Sequence, residues 1–192
     1  MGKGRLEAFS DGVIAIIITI MVLELKVPHG AELASLVPVL PVLGGYVLSF
    51  IYVGIYWNNH HHLLHIAARV SGGVLWANLH LLFWLSLLPF ATNWMGEEHF
   101  AILPVVLYGA VLLAAAMAYY ILTRSLIACN GRDSALARAI GADWKGMASV
   151  VCYLTAILLA FASPWASLAV YALVAMVWLV PDQRIEKRMQ KE

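Results

Sequence analysis

Apolar residues fill six stretches of this chain, and polar residues collect between them. A membrane span needs about 20 mostly apolar residues. The pattern predicts helices over 9–27, 36–57, 74–94, 100–123, 144–161 and 164–180. The fold class that follows is an all-α integral membrane protein with six transmembrane helices per subunit. Only Ala162-Ser163-Pro164 separates the last two windows, which reads as a tight helical hairpin with proline opening the second helix. The third and sixth windows show no interior break, while Pro38, Pro41 and Gly44-Gly45 sit toward the start of the second. The longest polar connection runs from Arg124 to Asp143, with Asn130-Gly131 as a turn. Leu126, Leu136 and Ile140 within it suggest short amphipathic pieces at the membrane interface. The tail Asp182 to Glu192 is expected to continue the sixth helix as a charged end. Residues 1–192 read as one domain without an internal repeat.

Composition supports this picture. The chain is 62% hydrophobic and 12% charged, with a mean hydropathy of +0.83, whereas an ordinary globular domain has about 25% charged residues. A net charge of +1 offers no basic surface for nucleic acid. The first apolar run has no small-residue cleavage site and reads as a span rather than a leader. Charge also orients the chain. Lys3, Arg5, Arg69, Arg124, Arg132, Arg138, Lys145, Arg184, Lys187, Arg188 and Lys191 all fall on one side of a six-span arrangement, and Lys26 alone on the other. By the positive-inside rule both termini are then cytoplasmic. The tryptophans mostly fall near span ends, as in an aromatic belt. Cys129 and Cys152 fit no metal spacing and read as small apolar residues. No hydrolase, metalloprotease or phosphate-loop motif is present, so an enzyme is not expected.

The chemistry gathers at the first helix. Arg5, Phe9, Ser10 and Asp11 stand at the mouth of the first span, where an ionisable group needs a partner or water. At about 100° per residue, Ile16, Thr19, Ile20 and Leu23 share one face, with Gly12 and Val27 extending it. Ser10 and Asp11 lie more than about 100° away and are expected to face the rest of the subunit. A second polar group, Asn58-Asn59-His60-His61-His62 with His65, ends the second span. His61 and His65 are spaced for a metal, but no carboxylate or thiol lies near, so no metal site is assigned. An interhelical clamp is expected instead, with His60 or His61 meeting Asp11 or Ser10 and with Asn78 and His80 closing the network. On that reading Asp11→Asn damages folding or assembly more than ion selection. A histidine paired with a carboxylate would titrate near physiological pH.

Arg5-x-x-x-Phe9-Ser10-Asp11-Gly12-Val13, then Ala15-Ile16, Thr19 and Val22-Leu23-Glu24-Leu25-Lys26-Val27-Pro28, together resemble the first helix of the transmembrane protein 175 family of potassium channels. Tyr56-Trp57-x-x-His60-His61 is similar to the second helix. The likeness covers most of the first 90 or so residues, and Ile14 departs from it where a bulky aromatic residue is expected. The resemblance implies a single six-span subunit that forms a homotetramer, with the first helix of each copy lining a central pore. It places the bottleneck at Ile16, further aliphatic rings at Ile20 and Leu23, and a polar layer at Thr19. Such a hydrophobic constriction gates by dewetting. No Thr-Val-Gly-Tyr-Gly filter occurs in the chain, so a moderate preference for potassium over sodium is expected. The implied partners are other copies of the chain, the lipid bilayer and permeant K+, with no cofactor. The single six-span unit points to a bacterial cytoplasmic membrane. The competing class is a secondary transporter of a small solute or cation, for which a monomer or twofold dimer is expected in place of fourfold symmetry.

Overall fold

The computed structural model describes residues 2–141 and 143–179, so the expected charged tail lies outside them. The protein is all-helical: α1 (Lys3–Leu23), α2 (Leu40–Ile66), α3 (Gly72–Ser86), α4 (Leu88–Glu97), α5 (Ile102–Asn130), α6 (Ala135–Ile140), α7 (Trp144–Ala160) and α8 (Pro164–Leu179). A short 3₁₀ segment, Leu33–Val39, leads into α2, and Pro41 sits in the first turn of that helix where its missing N–H is harmless. Among the described residues, four stretches are long and apolar enough to cross a membrane: Lys3–Leu23, Leu33–Ile66, Gly72–Glu97 and Ile102–Asn130. Within the described residues two shorter apolar helices, α7 and α8, have 17 and 16 residues.

Two sequence expectations are corrected and a third is extended. The third span is not continuous: it breaks at Leu87 into α3 and α4. Pro89 is the cause, because it has no N–H for the Leu85 carbonyl and its ring crowds that turn. α2 runs nine residues beyond Trp57, carrying the whole histidine group on helix. The connection assigned to 124–143 begins later, because α5 continues to Asn130 and ends at Gly131, whose φ of 100° favours glycine. The rest of that connection contains α6, whose Leu136 is buried as an interfacial piece would require. The α7–α8 hairpin forms where expected. Ser163 Oγ accepts from Ala166 N at 3.3 Å, so Ser163 closes the turn ahead of Pro164.

The helix α5 is the spine. It packs on α3, α4, α7 and α8, and Tyr108, Leu112, Ala115, Ala118 and Leu122 are fully buried along it. Small residues permit close approach, as in membrane helix pairs generally. At Gly109 an added Cβ would stand 1.9 Å from Tyr171 Oη and 2.9 Å from Ile157 Cγ1. At Gly96 it would stand 2.6 Å from Val42 Cα, which is backbone and cannot swing aside. By contrast α1 sits at the edge, touching α2, α3 and α4 on one side. Only 28% of its apolar window is buried, against 50% for α5, so most of α1 has no partner within the subunit.

Gly109→Ala should therefore push the Tyr171 ring off α5 and break its bond to the Val105 carbonyl. Overpacking of this kind costs roughly 1–3 kcal/mol. The check is thermal unfolding in detergent, where a melting temperature equal to wild type would show that α5 and α8 can separate freely.

Candidate functional site

The faces of α1 are sharply divided. Leu6, Ser10, Ile14, Ile17 and Met21 are buried, at spacings of four, four, three and four residues that trace one stripe on a helix. The opposite stripe is bare. Ile16 is 59% exposed, Ile20 41% and Leu23 76%, and Thr19 is exposed among them. Thr19 Oγ1 donates to the Ala15 carbonyl at 2.9 Å, which satisfies its proton locally and leaves its lone pairs facing out. The four residues assigned from the sequence to one face thus share one face here.

A buried polar bridge fixes that division. Ser10 is 0% exposed, and its Oγ donates to the Leu6 carbonyl at 2.8 Å. It accepts from Asn78 Nδ2 at 2.9 Å. Asn78 Oδ1 in turn lies 2.7 Å from His60 Nε2. Since Asn78 Oδ1 can only accept, the proton sits on Nε2. One side chain of α3 thereby joins α1 to α2, and all three residues are buried. Expected members of this clamp fall outside it. Asp11 is exposed and its Oδ1 accepts from Trp57 Nε1 at 3.0 Å, so no histidine meets it directly. The reason is the helical step of about 100°, which turns the residue after Ser10 off the buried stripe. His61 is exposed and stacks on Trp57 and His65, with ring centroids 6.2 and 5.9 Å away. His80 accepts from Trp84 Nε1 one turn along its own helix. Arg5 and Phe9 are exposed on the bare side of α1.

The sequence reading missed other fastenings. Lys3 Nζ donates to the carbonyls of His65 and Ala67 at 3.0 and 3.1 Å, tying the start of α1 to the end of α2. Ser49 Oγ contacts both Thr92 Oγ1 at 2.6 Å and Tyr108 Oη at 3.0 Å, in the buried core of α2, α4 and α5. A signal for this existed: Gly45, Ser49, Tyr52, Tyr56 and His60 recur at helical spacing and form the buried polar stripe of α2. At the other end of α1, Lys26 pairs with Glu97 at the close of α4. The hydrogen bond and charge of Glu97 hold the Lys26 ammonium above its ordinary pKa. Among the described residues, no group of three His, Cys, Asp or Glu side chains is arranged to hold a metal.

The bridge predicts an asymmetry between neighbours. Asn78→Leu strands the His60 N–H in an apolar interior, and a buried group left unpaired costs about 1–3 kcal/mol. Asp11→Asn retains an exposed oxygen for Trp57 and should change stability by less than about 0.5 kcal/mol. Detergent melting curves compare the two. A loss from Asp11→Asn as large as that from Asn78→Leu would place the anchor at Asp11 instead.

Residues 5–89 match the family described as endosomal/lysosomal potassium channel TMEM175. A potassium channel of Chryseobacterium sp. (strain P1-3) is 56% identical over 191 residues, covering 100% of both chains. A potassium channel of Streptomyces collinus is 35% identical across 61% of each chain. The crystal structure of a lysosomal potassium-selective channel TMEM175 homolog from Chamaesiphon minutus superposes with a TM-score of 0.78 at 31% identity, covering 93% of this chain and 96% of that one. With whole-length similarity and a shared fold, the chain belongs to the TMEM175 family of potassium channels.

Proposed function

We propose that four copies of this chain assemble around the bare face of α1 to form a potassium-permeable pore. The observation that carries the reading is the exposed stripe of Ile16, Thr19, Ile20 and Leu23, opposite a face anchored by a buried polar bridge. An apolar stripe interrupted by one hydroxyl suits a symmetric constriction. Ile16, Ile20 and Leu23 from each copy would form aliphatic rings, and Thr19 a polar layer. A narrow aliphatic ring excludes water until it widens, which makes it both gate and barrier. Selectivity on this reading is moderate, arising from ring width and the cost of ion dehydration rather than from a carbonyl cage. Potassium, whose water is shed more readily than that of sodium, is the favoured ion.

The six-span arrangement is part of the same proposal. α3 with α4 counts as one span, and the α7–α8 hairpin supplies two short ones, so both termini lie on the side that carries the basic residues. The setting is a bacterial cytoplasmic membrane with the whole chain acting as one domain. Asn78, Ser10 and His60 then serve the pore indirectly, by fixing the rotation of α1. Arg5, Phe9, Asp11 and His61, all exposed at the same end of the subunit, would lie at the cytoplasmic mouth or between copies.

The test is reconstitution of the purified protein in liposomes, with potassium flux and the potassium-to-sodium reversal potential measured. Wild type should pass potassium in preference to sodium. Ile16→Asn should wet the constriction, raise flux severalfold and reduce the preference. Potassium flux that is indifferent to both Ile16→Asn and Leu23→Asn would put the pore on another face.

A further inference from the structure

Lys26, just past α1, pairs with Glu97 at the close of α4. The Phe100 ring in the α4–α5 turn lies 5.0 Å from that of Trp165 at the start of α8. The exit of α1, the α4–α5 turn and the α7–α8 hairpin therefore share one end of the subunit. All residues of 24–39, 97–101 and 161–163 are described, so the charge of these connections is known in full. With histidine counted as neutral, they carry four carboxylates, Glu24, Glu32, Glu97 and Glu98, against one ammonium, Lys26.

Glu24 is the carboxylate placed on the helix with the bare face. Its N–H donates to the Ile20 carbonyl at 3.2 Å, so it keeps helical register and stands one turn beyond Ile20. Glu24 is exposed, and it lines with Ile20 a hollow whose other wall is α4. Asn93 lines the same hollow, and its buried Oδ1 accepts no hydrogen bond among the described residues. Lys26 is near enough to feel the charge of Glu24, but its hydrogen bond goes to Glu97. Glu24, Lys26 and Glu97 together thus keep one negative charge. An acceptor-rich hollow of that sign favours a cation.

We propose that Glu24 forms a ring of four carboxylates at the pore mouth opposite the termini, where it concentrates potassium ahead of the aliphatic constriction. The inference rests on the fourfold pore proposed above, in which Glu24 follows Ile20 and Leu23 within one turn. Rings of acidic side chains are a general device of cation channels. Negative charges around a low-dielectric opening focus the field and raise the local cation concentration. Such a ring supplies what Ile16, Ile20 and Leu23 lack, since aliphatic side chains offer an approaching ion no charge. Its effect depends on salt. Charges are felt over about 30 Å at 0.01 M but only about 3 Å at 1 M.

The experiment is single-channel recording of the purified protein in planar bilayers of phosphatidylcholine, which carries no net charge. Symmetric KCl at about 0.01 M and at about 1 M spans the screening range. Glu24→Gln should lower potassium conductance about threefold in dilute salt, and Glu24→Lys about tenfold, within the range that charge steering covers. Both should match wild type in concentrated salt, and Glu24→Asp should keep the wild-type conductance in each. Glu98→Gln removes an exposed carboxylate at the same end but off α1, and should change neither value. A loss from Glu24→Gln of equal size at both concentrations would overturn the ring, because a packing defect is not screened. So would a loss from Glu98→Gln as large as that from Glu24→Gln. Ile16→Asn separates the two readings. Conductance that responds to Ile16→Asn but not to Glu24→Gln or Glu24→Lys would remove the ring and leave the pore on α1. Conductance indifferent to all three would remove the pore reading and the ring with it.

Discussion

Asn78 satisfies two other buried polar side chains at once, and the placement of α1 depends on it. Its amide gives a proton to Ser10 and takes one from His60, so three helices meet at one planar group. A polar group left unpaired in such a buried position is costly. Rotation of α1 about its axis would part Ser10 from its partner and bury nothing in exchange, because from Val13 to Leu23 the helix is apolar on every side but for Thr19. A helix of isoleucines has no hydrophobic preference for one rotation over another inside lipid. The polar bridge supplies the preference that apolar packing cannot.

Fixing Ser10 inward fixes what faces outward. Ile16 lies six residues on, roughly 120° around the helix, and Ile20 and Leu23 follow it on the same side. The bare face is thus a geometric consequence of the anchored one. Lys3 and Lys26 add restraint at the two ends, the first on the carbonyls that close α2 and the second on Glu97. α1 is held at its ends and at one point near its start, while its middle presents apolar side chains.

The remaining helices form the frame against which α1 is set. α5 is buried along much of its length and uses glycine where Tyr171 crosses it. The break at Leu87 lets α4 lean on α2 and α5 independently of α3, and Thr92 reaches Ser49 there. Asn130 adds a further tie. Its Oδ1 accepts from the backbone N–H groups of Ala68 and Arg69, and its Nδ2 donates to the Arg69 carbonyl, so the α2–α3 connection is bound to the end of α5. Sequence marked Asn130-Gly131 only as a turn, because nothing local to it shows a loop some sixty residues earlier.

Composition and hydropathy were enough to establish an all-helical membrane protein, since runs of Leu, Val and Ile of that length have no stable place in water. The spacing of Ile16, Thr19, Ile20 and Leu23 was likewise legible, because helical period is a local property. So was the inward course of Ser10. Partner choice was not. His60 and His61 are adjacent and chemically identical, and only the position of Asn78 on α3 decides that His60 is the one enclosed. Asp11 follows Ser10 directly, yet one helical step carries it to the surface and to Trp57. The kink at Leu87 and the extension of α2 to Ile66 were hidden for a related reason: hydropathy measures where a chain is apolar, not where its backbone hydrogen bonds stop. The sequence by itself determined which segments are helical and which faces they can offer. Tertiary structure alone decided which polar groups meet, because a hydrogen bond across helices depends on distances of a few ångströms between residues far apart in the chain.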